Sequence, residues 1–148
     1  AMQGNTQLMI NQISDRFRSG TINYYFDSYG GGIPMPSEQL ALIDEFGNEI
    51  VIQKSSDSFD ASSCVSEEST PCIEISENGG ESFFPLSSED FRVVNAQFYI
   101  DPPESPLDGF NIQPRVTIVL AIQNNASNPD DRRTLFIQTT VSSRKLLR

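Results

Sequence analysis

A chain of 148 residues with 37% hydrophobic content holds enough apolar side chains for one domain with a real core, and too few residues for two ordinary ones. Its formal charge of −10 repels nucleic acid over most of the surface, because affinity for phosphates comes from clustered Lys and Arg. No uninterrupted apolar run approaches the roughly 20 residues that a membrane-spanning helix requires.

The charge is unevenly spread. Between Asp57 and Asp108 twelve acids face the single base Arg92, whereas from Arg132 to Arg148 there are five bases and no acid. The basic tail reads as a solvated chain end or as a complement to the acidic face. Cys64 and Cys72 stand eight positions apart in a Ser- and Glu-rich stretch, a spacing that suits a loop staple. A disulfide in an oxidising compartment fits these polar neighbours better than two exposed thiols. Zinc would need two more ligands, and the chain has no His and no other Cys.

In chain order, Ala1 and Met2 read as an expression scar. Residues 5–18 place Met9, Ile10, Ile13 and Phe17 at helical spacing, with Asn11, Gln12, Asp15 and Arg16 opposite. Gly20 closes this helix, and residues 21–26 are β-branched and aromatic, so an extended segment follows, with continued helix to about Asp27 as the alternative. Gly30, Gly31, Gly32, Pro34 and Pro36 form a loop. A hairpin follows, residues 39–44 and 49–54 joined by Glu45, Phe46, Gly47 and Asn48. After a polar loop at 55–70 come an extended piece at 72–76, a turn at Asn78, Gly79 and Gly80, and a short apolar piece at 82–86. Three longer strands, 91–100, 115–123 and 134–141, are separated by Pro- and Asp-rich loops. The expected class is α+β, one helix (5–20) packed on an antiparallel sheet built from 21–148, in a single domain.

The sequence offers little chemistry. Without histidine, Ser-His-Asp and Cys-His arrangements are excluded. The triple glycine is followed by Ile33, Pro34, Met35 and Pro36, which cannot open a phosphate-binding helix. The acid pairs Glu67/Glu68, Glu89/Asp90 and Asp130/Asp131 lie in loops without an aromatic cleft and read as solvated surface. Calcium is the one metal these oxygens could serve. Asp101, Glu104 and Asp108 form one candidate set, and Asn128, Asp130 and Asp131 another; neither follows an EF-hand pattern. Asn125, Ala126 and Ser127 match the glycosylation acceptor triplet, a short pattern that also arises by chance.

The C-terminal run Thr-Leu-Phe-Ile-Gln-Thr-Thr-Val-Ser-Ser-Arg (134–144) closely resembles the final strand of bacterial type IV pilin-like and pseudopilin proteins, the family with a prepilin-type N-terminal methylation segment. Residues 40–52 resemble the first hairpin of that family, and 94–100 and 113–120 its paired late strands. The resemblance implies a non-enzymatic filament subunit without cofactors, whose partners are other pilin or pseudopilin subunits. It implies a leader and a long apolar helix ahead of residue 3, of which residues 5–20 would be the C-terminal half. That helix would anchor the precursor in the inner membrane, with this domain outside the cytoplasm and later in a surface filament. An exported domain would also permit the Cys64 to Cys72 bridge. The alternative function is a filament-tip binding module for adhesion or DNA uptake, using loops 55–70 or 101–112; elsewhere the acidic surface argues against nucleic acid.

Overall fold

A computed structural model describes residues 2–30, 32–55, 71–87, 91–103, 113–124 and 128–143. The helix α1 (Met2–Ser19) begins before the apolar pattern does and ends where that pattern ends. It buries Met9, Ile10, Ile13 and Phe17 and leaves Asn11, Gln12 and Asp15 to solvent, as a 3.6-residue period requires. Its last turn is closed by the Gly20 N–H, which donates to the Arg16 carbonyl at 3.1 Å. Gly20 is needed for space: a Cβ there would lie 2.8 Å from the Ile43 carbonyl oxygen.

Among the described residues eight strands follow, in two antiparallel sheets. The first sheet has the order β1 (Thr21–Ile22), β2 (Gln39–Ile43), β3 (Glu49–Lys54), β4 (Ile73–Ser76) and β5 (Phe84–Pro85). The β2–β3 turn is organised by Asp44. Its carboxylate accepts from the Phe46 and Asn48 N–H groups at 2.9 and 2.8 Å and from the Asn48 side-chain amide at 3.0 Å. Gly47 supplies the left-handed residue of that turn, at φ 85°. The second sheet has the order β6 (Phe91–Asp101), β7 (Arg115–Asn124) and β8 (Thr134–Ser142), with a register shift between Val93 and Asn95.

The α+β expectation of a helix packed on one antiparallel sheet is corrected by this arrangement, which is a β-rich fold with one short helix. The strands were legible singly, but their period does not say which of them pair. The first sheet ends at β5, whose Pro85 lacks an N–H, and β6, β7 and β8 form a sheet of their own. The helix touches β1 of one sheet and β8 of the other, and so contributes to the seam between them. Its four apolar side chains join a core otherwise drawn from strands and loops, including Leu40, Ile52, Ile73, Phe98, Ile118 and Ile122. Ser37 also stitches the sheets, exchanging two backbone hydrogen bonds of 2.8 Å with Phe98.

Tyr29, in a short 3-10 turn (Asp27–Tyr29) just ahead of the expected loop, is a core residue, 4% exposed. Its hydroxyl donates to the Gln39 carbonyl at 2.9 Å and accepts from the Ala41 N–H at 2.8 Å. It thereby occupies the outer rim of β2 where the two-residue β1 has run out. Burial pushes its pKa up to about 12, partly offset by the Ala41 N–H and by Ser37.

Candidate interaction surface

The residues singled out in the sequence are not drawn together into a site. Cys72 is buried, bonds through its backbone to Ser55, and is not a free thiol; Cys64 lies outside the described residues. Loop 56–70, Glu104 and Asp108, the triplet 125–127 and the tail 144–148 lie outside them too. Asp101 is exposed and held by Arg115 at 3.1 Å. Asn128 spends its side-chain oxygen on the Asp130 N–H (3.1 Å), capping the 3-10 turn Pro129–Asp131. Among the described residues no group of three or more acids or cysteines is close enough to hold a metal ion. Tyr24 donates its hydroxyl to the Pro102 carbonyl at 2.9 Å. Burial above all, then the charge of Asp101 and the neighbouring Tyr29, raises its pKa far above the ordinary value, so it serves as a strut and not as a nucleophile.

What the fold does assemble is the outer side of the second sheet. Because successive residues of a strand point to opposite faces, the buried residues Phe98, Ile118 and Leu120 leave their neighbours facing outward. These outward residues form cross-strand rows: Gln97, Val119, Gln138, then Tyr99, Thr117, Thr140. The Thr117 and Thr140 hydroxyls lie 3.0 Å apart. Phe136, opposite Ala121, is 76% exposed. The charges of this face lie at its ends: Asp101 and Arg115, paired with each other, in the row of Ser142, and Arg92 in the row of Gln123 and Thr134.

The rim of this sheet is equally distinctive. β8 is nine residues long, contains no charge, proline or glycine, and pairs only with β7 among the described residues. The Ser143 N–H donates to the Pro114 carbonyl, and the Asn124 N–H to the Arg133 carbonyl. Odd-numbered residues of β8 therefore face β7, and by antiparallel alternation the N–H and C=O groups of Thr134, Phe136, Gln138, Thr140 and Ser142 point away from it. The other rims are obstructed. β1 and β5 have two residues each, Tyr29 occupies β2, Pro85 removes a donor from β5, and Ser37 and the Pro71 carbonyl hold parts of β6.

Charge divides along the same line. Among the described residues, those from 21 to 87, which include the first sheet, carry eight acids and the one base Lys54, and those from 91 on, which include the second, carry three acids and four bases. The molecule is thus strongly polar, with an acidic first sheet and a nearly neutral, slightly basic second sheet. The sequence had shown the acidic stretch and the basic tail, but the uncharged run between Arg133 and Arg144 was noticed only as a resemblance. No protein-family model, curated protein or solved structure matches this chain.

Proposed function

We propose that this chain is a structural subunit of a type IV pilin-like or pseudopilin filament, working by packing against neighbouring subunits and not by catalysis. The observation that carries the reading is the uncharged rim strand β8 of the second sheet on a chain of net charge −10. A solitary soluble domain has reason to charge such a strand, since bare rims invite association. The family resemblance of residues 40–52, 94–100, 113–120 and 134–144 supports the same reading. On this proposal a helix ahead of residue 3 anchors the precursor in the inner membrane. The domain then lies outside the cytoplasm, where Cys72 and Cys64 are joined.

Deleting the gene in the source organism and imaging the cell surface and secretion apparatus tests this. Loss of filaments or of secretion, restored by the intact gene, is expected; unchanged filaments and secretion would refute it. A second reading, a filament-tip binding module, has one observation in its favour. A shallow trough of about 420 Å³ between Met35, Tyr99 and the Asp101–Arg115 pair opens beside the start of loop 101–112. If that trough binds a ligand, Tyr99→Ala should abolish attachment while leaving filaments intact; attachment unaffected by it would remove the reading.

A further inference from the structure

We infer that the rim of β8, unpaired among the described residues, is a strand-addition site for a second copy of this chain, which docks head to tail and presents its acidic first sheet, with β5 as the added strand. The inference rests on the filament reading for its biological setting, but its physical basis is separate. Three observations carry it. First, β8 offers five outward-facing residues with both donors and acceptors and none of the devices that usually protect a rim, namely Lys, Pro or a bulge. Second, the charge division selects the orientation. Two β8 strands paired with each other would join the two slightly basic sheets and leave the acidic ones without a counterpart. Head-to-tail docking instead brings Arg132 and Arg133, just ahead of β8, to the acidic sheet. Third, β5 is complementary in its hydrogen bonding. The Leu86 N–H donates inward to the Ile73 carbonyl, so Pro85 faces outward, where it can accept but not donate. Such a rim cannot pair well with itself, whereas β8 supplies donors. Phe84 and Phe136, 56% and 76% exposed, would then be covered together.

Head-to-tail contact uses two different surfaces and can therefore repeat without closing, as a filament requires; a twofold pair of β8 strands would close on itself. The contact is polar in sequence order: the second sheet of one copy continues into the first sheet of the next.

The purified domain tests this through its mass by sedimentation across the micromolar to millimolar range. Reversible, concentration-dependent association that weakens as salt rises is expected. Gln138→Pro removes an N–H that faces away from β7, so it should leave the far-ultraviolet circular dichroism and melting curve intact while weakening association about tenfold or more, the value of one or two lost bonds. Geometry is read by mixing Gln138→Cys with Phe84→Cys under mild oxidation. Cross-linking between the two variants supports the inference. Efficient cross-linking of Gln138→Cys with itself alone would show a twofold pair and overturn it, as would a domain that stays monomeric throughout or a folded Gln138→Pro variant that associates like the parent. The filament reading fails separately: if gene deletion leaves filaments and secretion unchanged while the domain still associates through β8, the strand contact stands and the setting is wrong.

Discussion

Replacing Tyr29 by Phe removes one oxygen and leaves the ring where it is, so the effect isolates two hydrogen bonds. The ring packs edge-on to Phe26 with centroids 5.2 Å apart, a contact that Phe retains. Of the two groups that lose the hydroxyl, the Gln39 carbonyl keeps a hydrogen bond from the Ser37 hydroxyl at 2.7 Å. The Ala41 N–H keeps nothing, and Ala41 is fully buried. One orphaned buried N–H costs about 1–3 kcal/mol and the second, partly compensated bond adds under about 1, so a loss of about 2 kcal/mol is expected. For a chain of this size that lowers the melting temperature by roughly 4–8 °C. Urea unfolding followed by circular dichroism measures it, and a loss under about 0.5 kcal/mol would show that the hydroxyl does not hold the β2 rim. The same residue sets an alkaline limit. Its folded pKa, about 12, exceeds the ordinary value of 10.0, so the stabilisation is fully present below pH 10 and is lost as pH rises towards 12. Tyr29→Phe should therefore be the weaker protein at neutral pH yet lose less stability between pH 10 and 12; parallel curves would refute that assignment.

Other expectations follow from single contacts. A small desolvation would raise the Asp44 pKa, but the Asn48 and Phe46 N–H groups and the Asn48 amide outweigh it and hold the carboxyl below its ordinary value. The turn's stabilisation is thus present above the ordinary Asp pKa and fades as pH falls below it. Asp44→Asn should flatten the acid side of the melting-temperature profile, an effect that exposure keeps under about 1 kcal/mol. Gly20→Ala forces a Cβ to within 2.8 Å of the Ile43 carbonyl and should cost about 1–3 kcal/mol by denaturant unfolding, with an unchanged melt refuting the tight fit. For the cysteines, alkylation without reduction should add no mass and alkylation after reduction should add two labels; two labels without reduction would remove the disulfide.

The strands were legible because each is a short β-branched run bounded by Gly, Pro or Asn. The expected pieces 39–44, 49–54, 91–100, 115–123 and 134–141 fall on β2, β3, β6, β7 and β8 within a residue or two. The helix was equally plain from Met9, Ile10, Ile13 and Phe17. What local pattern does not encode is partnership between distant strands. The first sheet ends at a strand holding Pro85 and is tied to the second by a bridge from Ser37 to Phe98, neither of which alters hydrophobic period. Tyr29 was missed for a related reason: its two bonds reach ten and twelve residues ahead, beyond any turn motif. The candidate surface had a signal, ten uncharged residues between Arg133 and Arg144 in an acidic chain, but uncharged residues in a strand suggest a core first.

The distribution of guards among the strand rims argues that β8 is open for a reason. An unprotected rim is a hazard because its backbone groups accept any extended chain, and proteins ordinarily spend a charge or a proline to prevent that. This chain spends such devices elsewhere. A buried tyrosine covers β2, and a serine bridge and the Pro71 carbonyl occupy β6. Twenty acids are available, yet none falls on β8, where one Lys or Glu at Gln138 would leave the β7 ladder and the core intact. The inward side chains of β8, Leu135, Ile137 and Val141, already satisfy the core, so the outward residues Phe136, Gln138 and Thr140 are free of folding constraints. Stability therefore does not explain an uncharged outer row with an exposed Phe136. Strand addition does, because both the bare backbone and the exposed Phe136 acquire a partner in the same step.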